Sequence, residues 1–213
     1  MKEISMKNKT LKKISSAILA GTMLLSCFGC SSSETKLKIS ADDAEDYAED
    51  IGADYVMIRR DDYADGNDFL DAMSEQYPVG MPYYPNSYQL DESIFYFADD
   101  QKTVLVIAYS FREGRDSFTS YSSYEEWDNY LSELYDEYDD DAEYKAFEEY
   151  EINYSLLERE IERDNGPDFV EYVGVYAQER DLLIIWAFGD EKTVEDNLEE
   201  VCDDLDLPSP TDL

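Results

Sequence analysis

Ser93-Ile-Phe-Tyr-Phe-Ala98 and Thr103-Val-Leu-Val-Ile-Ala-Tyr109 flank the polar tetrapeptide Asp99-Asp-Gln-Lys102. Both runs are crowded with β-branched and aromatic residues and are too short for typical helices, so they read as strands. A four-residue connection joins antiparallel neighbours, which makes the unit a hairpin. The second run is apolar at nearly every position. It therefore predicts a strand inside a sheet that is covered on both faces.

The pattern returns downstream. Phe169-Val-Glu-Tyr-Val-Gly-Val-Tyr-Ala177, a Gln178-Glu-Arg-Asp181 turn and Leu182-Leu-Ile-Ile-Trp-Ala-Phe188 form a second hairpin. Phe97-Ala98 through Ala108-Tyr109 aligns without a gap with Tyr176-Ala177 through Ala187-Phe188. An internal duplication would leave such a match, and so would any two amphipathic hairpins.

Tyr55-Val-Met-Ile-Arg59 reads as one further strand. Helices are expected around the hairpins. Ser40 with Asp43 opens one that Gly52 stops, and a short one runs from about Asn67 to Tyr77. Ser122 with Glu125, or Ser123 with Glu126, caps a third through Tyr138. A stripe of Phe147, Tyr150, Tyr154, Leu157 and Ile161 predicts a fourth over Ala142–Arg163, and Val194, Leu198, Val201 and Leu205 a fifth over Lys192–Leu205. The expected class is α+β: an antiparallel sheet of about five strands, two hairpins plus one strand, with four to five helices packed on it.

The N-terminus carries a different message. Lys2, Lys7, Lys9, Lys12 and Lys13 precede a short apolar run, Ile14 to Leu25, too short to span a bilayer. The run ends at Leu24-Leu25-Ser26-Cys27, followed by Phe28-Gly29-Cys30 and three serines. Residues 1–35 thus resemble the lipobox-type signal of bacterial lipoproteins. That resemblance implies removal of residues 1–26 and diacylglyceryl attachment to Cys27, with Cys30 as the alternative site. It also implies export, and a lipid anchor at the outer face of the cell membrane. Two acyl chains matter, because one chain gives only marginal, reversible binding. The expected organisation is a leader (1–26), a lipidated cysteine with its tether (27–40) and one acidic domain (41–213).

Residues 1–26 hold five lysines and one glutamate, so their removal takes the net charge from −35 to −39. Such a field repels nucleic acid and acidic lipid headgroups and attracts cationic proteins and peptides. Nineteen Tyr, nine Phe and two Trp in periodic blocks argue for a packed core despite the acidity.

The chain has no histidine, which removes His-dependent triads and the common zinc sites. With one of Cys27 and Cys30 lipidated, no disulfide framework is expected. Asp61-Asp-Tyr-Ala-Asp-Gly-Asn-Asp-Phe-Leu-Asp71 misses an EF-hand loop at its third ligand and at its bidentate glutamate, where Tyr63 and Ala72 stand. No cofactor, metal or catalytic residue is assigned. Tyr77-Pro-Val-Gly-Met-Pro-Tyr-Tyr-Pro-Asn-Ser-Tyr88 is the best local binding candidate: Tyr77, Tyr83, Tyr84 and Tyr88 on a proline-stiffened loop offer aromatic faces to a cationic ligand. The expected function is that of a surface-anchored binding or accessory module for a cationic protein or peptide, not an enzyme. The alternatives are a cell-envelope glycan-acting enzyme using a carboxylate pair and a non-specific acidic spacer.

Overall fold

A computed structural model describes residues 37–76, 89–112, 117–138, 141–148, 152–161 and 169–213. They belong to one compact unit, Lys36–Leu213. The helices are α1 (Ala41–Ile51), α2 (Gly66–Gln76), α3 (Ser117–Glu137) and α4 (Glu191–Asp204). The strands are β1 (Tyr55–Arg59), β2 (Leu90–Phe97), β3 (Val104–Phe111), β4 (Ala142–Glu148), β5 (Ile152–Ile161), β6 (Phe169–Gln178) and β7 (Asp181–Gly189). All seven form one antiparallel sheet in the order β1-β2-β3-β7-β6-β5-β4. The α+β class stands, but with more strands than the expected five.

The difference lies in Ala142–Ile161, which is not a helix. Its glutamates, leucines and arginine favour helix locally, yet β5 exchanges ladder bonds with β4 and β6 along its length. Leu156 and Leu157 are both buried, one on each face of the sheet. The Phe147–Tyr154 spacing that looked like a helical stripe is a cross-strand pair, with rings stacked 5.0 Å apart. A second correction concerns α3. It starts at Ser117, so Ser122 and Ser123 lie within the helix rather than at its cap, and Ser120 and Ser123 are buried against the sheet.

Other local signals act as read. The Ser40 hydroxyl accepts from the Asp43 amide while the Asp43 carboxylate accepts from the Ser40 amide, a capping box. Gly52 ends α1 at φ 70°, which a side chain would disfavour.

The sheet is covered on both sides. On one side α1 lies over β1–β3, and α4 over β3, β7 and β6, with Ala44, Ala48, Val194 and Leu198 wholly buried. On the other, α2 packs on β1 and α3 on β4–β7, burying Phe69, Met73, Trp127 and Leu131. Burial of such side chains stabilises by about 1.5–3 kcal/mol each.

The gapless hairpin match does not persist as a structural repeat. The first hairpin's last register pair is Phe97–Leu105, and the second closes at Gln178–Asp181 across two residues. Phe97 and Tyr176, aligned in sequence, therefore fall on opposite faces. The helices after the two hairpins, α3 and α4, also cover opposite faces.

The N-terminal segment is pinned at one end of the sheet. The Leu37 amide donates to Gln178 Oε1 (2.7 Å), and the Ala41 amide to Ser110 Oγ (3.1 Å). Ser110 in turn donates to the buried Asp181 (2.6 Å). The β2–β3 turn stands at the opposite end, six residues along β7 or about 20 Å away.

Candidate functional site

At that far end, the C-terminus of α1 and the β2–β3 turn define a cleft. The turn is held by one carboxylate: Asp99 accepts the amide hydrogens of Gln101 (2.8 Å), Thr103 (2.9 Å) and Val104 (2.7 Å). Lys102 takes a positive φ of 58° to complete it. Two adjoining cavities of about 240 Å³ each share Ile51, Ala98, Asp99 and Asp100. One extends to Tyr47, Asn197 and Glu200, the other to Asp54, Phe97 and Lys102.

The cleft is electrostatically one-sided. Asp54, Asp100 and Glu200 are exposed, and the last turn of α1 carries no basic residue against its negative dipole end. Among the described residues Lys102 is the one cation in the lining, and its ammonium lies over the Phe97 ring at 5.9 Å. Burial, reinforced by Asp204 and Glu200, raises the Tyr47 hydroxyl well above its ordinary value, so it stays protonated. Beside it, 6.5 Å between ring centroids, Tyr96 holds a buried hydroxyl that has no hydrogen-bond partner among the described residues.

A second constellation involves carboxylates. The buried Tyr172 hydroxyl lies 3.4 Å from Glu158 Oε1 on β5 and 3.1 Å from Glu195 Oε1 on α4. One phenolic proton cannot serve both acceptors fully. Burial, then the charge of Glu143 directly opposite on β4, raises the Glu158 pKa, which favours its protonated form. Neither Glu158 nor Glu195 lines the cleft.

Two other polar clusters are clamps. Ser155, wholly buried, donates to Asp128 and shares a hydrogen bond with Tyr124 (2.8 Å), while Tyr144 also donates to Asp128. This joins α3 to β4 and β5. Glu171 accepts from Arg159 and from the Trp186 indole (2.8 Å), and the Arg159 guanidinium lies 4.8 Å from the Tyr138 ring centroid. Arg59 is balanced internally, bridged to Asp42 (3.7 Å), Glu45 and Glu92 (3.3 Å).

Tyr77, Tyr83, Tyr84 and Tyr88 lie outside the described residues, as do Cys27 and Cys30. The acidic run Asp61–Asp71 is a turn leading into α2, where Asp65 accepts the Asn67 amide (2.8 Å). Among the described residues no group of three or more acidic or cysteine side chains is arranged to hold a metal, and no helix is long and apolar enough to cross a membrane.

The turn and the stop at Gly52 are legible in the sequence but the cleft is not, because Glu200 and Asn197 arrive from the last helix. No protein-family model matches the chain, and no curated protein matches it.

Proposed function

We propose that the protein is a lipid-anchored binding module of the bacterial cell envelope whose acidic domain takes a cationic protein or peptide. One observation carries this reading. The cleft that gathers Asp54, Asp100, Glu200 and the α1 C-terminus stands at the end of the sheet opposite Leu37. A module held through Cys27, or alternatively Cys30, would present that end away from the bilayer. The mature charge of −39 supplies long-range attraction for a basic partner. The Tyr77–Tyr88 loop belongs to the same reading as an aromatic platform.

Exposed ion pairs contribute about 0.2–1 kcal/mol each. Replacing Asp54, Asp100 and Glu200 together by their amides should therefore weaken capture of a basic peptide roughly tenfold. Binding should also fall as salt rises. A salt-insensitive interaction, or one indifferent to the three substitutions, would refute the cleft as the cation site. Radioactive fatty acid should label the wild type, and label retained after both Cys27 and Cys30 become Ser would remove the anchor.

The pairing of Glu158 with Glu195 favours one second reading, a glycan-acting enzyme in which Glu158 supplies a proton. Hydrolysis of envelope glycan that disappears in Glu158→Gln and persists in Glu143→Gln would establish it. Absence of any cleavage by the wild-type protein would dismiss it.

A further inference from the structure

The helices leave part of the sheet open beside the cleft. On the side covered by α2 and α3, Phe97 of β2, Leu105 of β3 and Trp186 of β7 stand directly across from one another in register. Val56 of β1 and Phe188 of β7 extend the row diagonally at either end. Phe97 is 40% exposed, Val56 41% and Phe188 44%, while Leu105 and Trp186 are half-buried. These are three of the six large apolar side chains most exposed among the described residues, and they share one face and one end of the sheet. Isolated exposed apolar residues need no explanation, but a contiguous row across four adjacent strands does.

The row spans three strand spacings, about 15 Å, which is about the length of three helical turns. Phe97 belongs to both features, since it lines the cleft with Asp54, Asp99 and Asp100.

We propose that Val56, Phe97, Leu105, Trp186 and Phe188 form the docking surface for the apolar side of an amphipathic cationic peptide segment, whose basic side chains enter the adjoining acidic cleft. This rests on the cationic-partner reading above and adds that the partner must be amphipathic. Charge selects the occupant. A second copy of this chain would bring together two bodies of −39 each, and an anionic lipid surface is repelled by the same field. A basic segment is attracted by it. An apolar face on that segment would cover the part of Phe97 and Phe188 that stays exposed beside Lys102 and Phe169, which a uniformly polar basic chain would leave in water.

The test uses the full lipidated chain in phosphatidylcholine nanodiscs, with empty nanodiscs subtracted. Two helix-forming 14-residue peptides of equal charge serve as probes, one amphipathic Leu/Lys and one Ser/Lys. Trp186 sits in the row while Trp127 is wholly buried, so a blue shift in tryptophan emission reports docking, and calorimetry gives the affinity. The Leu/Lys peptide should bind at least tenfold more tightly than Ser/Lys. Phe188→Ser, outside the cleft, should reduce its affinity by about tenfold without affecting Ser/Lys binding, and Phe97→Ser should weaken Leu/Lys binding at least as much. Both side chains are substantially exposed, and Val56→Ser, with its smaller apolar loss, provides a graded third variant.

Equal binding of the two peptides, with both lost in the triple amide variant at Asp54, Asp100 and Glu200, would overturn the docking surface and leave the cationic reading intact. Failure of both peptides to bind would overturn both. Dimerisation abolished by Phe97→Ser, or excess nanodisc lipid competing with the peptide, would assign the row to the wrong partner and overturn the proposal.

Discussion

Replacing Asp99 by alanine removes the acceptor on which the first hairpin closes. The carboxylate takes three backbone amides, from Gln101, Thr103 and Val104, and Thr103 reaches both of its oxygens (3.2 and 2.9 Å). A net hydrogen bond contributes about 0.5–1.5 kcal/mol, and more when the acceptor is charged. Asp99 is only half-buried, so water reclaims part of the loss, and about 1 kcal/mol per amide is appropriate. The expected cost is about 3 kcal/mol, a large fraction of the roughly 5–15 kcal/mol that a domain has. Relief of one negative charge offsets a few tenths.

Asp100→Ala is the control, because it deletes the same charge next door at an exposed position with no hydrogen bond among the described residues. Urea unfolding followed by circular dichroism should place the two variants about 3 kcal/mol apart with unchanged denaturant slope. Asp99→Asn, which exchanges one acceptor for a donor facing an amide, should fall between them. A gap below about 0.5 kcal/mol between Asp99→Ala and Asp100→Ala would refute the assignment of turn stability to this carboxylate.

Three further outcomes follow from buried groups. Glu158 and Glu92 both have pKa values raised first by burial, so their protonated forms favour the folded state. Stability should therefore fall as pH climbs above the ordinary glutamate value of about 4.3 through their folded values, and Glu158→Gln should flatten that loss in pH-resolved thermal melts. A Cβ at Gly174 would lie 2.8 Å from ring carbons of the wholly buried Tyr176, whose hydroxyl donates to the Pro208 carbonyl (2.6 Å). Gly174→Ala should cost about 1–3 kcal/mol and increase hydrogen exchange over the last residues, and wild-type exchange there would contradict this. Burial pushes the Cys202 thiol up to about 11. With Cys27 and Cys30 replaced by Ser, it should resist a thiol reagent at pH 8 until denaturant is added.

Much of this protein could be read from local pattern. The two central hairpins, the capping box at Ser40, the stop at Gly52 and the apolar stripe of α4 each depend on interactions within a few residues. Their chemistry is visible in order along the chain, as are the acidity and the α+β class. Ala142–Ile161 was not legible, because its glutamates, leucines and tyrosines satisfy a helical and an alternating pattern at once. Ladder bonds on both edges of β5, to β4 and to β6, decide between them.

The candidate site lies beyond local pattern for the same reason. Asp54, Asp100 and Glu200 come to line adjoining cavities only when α1 and α4 settle on one face, and Phe97 and Phe188 stay exposed only because α2 and α3 settle elsewhere on the other. Alternation along a strand tells which side chains share a face. Whether that face is buried depends on where helices from both ends of the chain come to rest, and that is a property of the packed molecule.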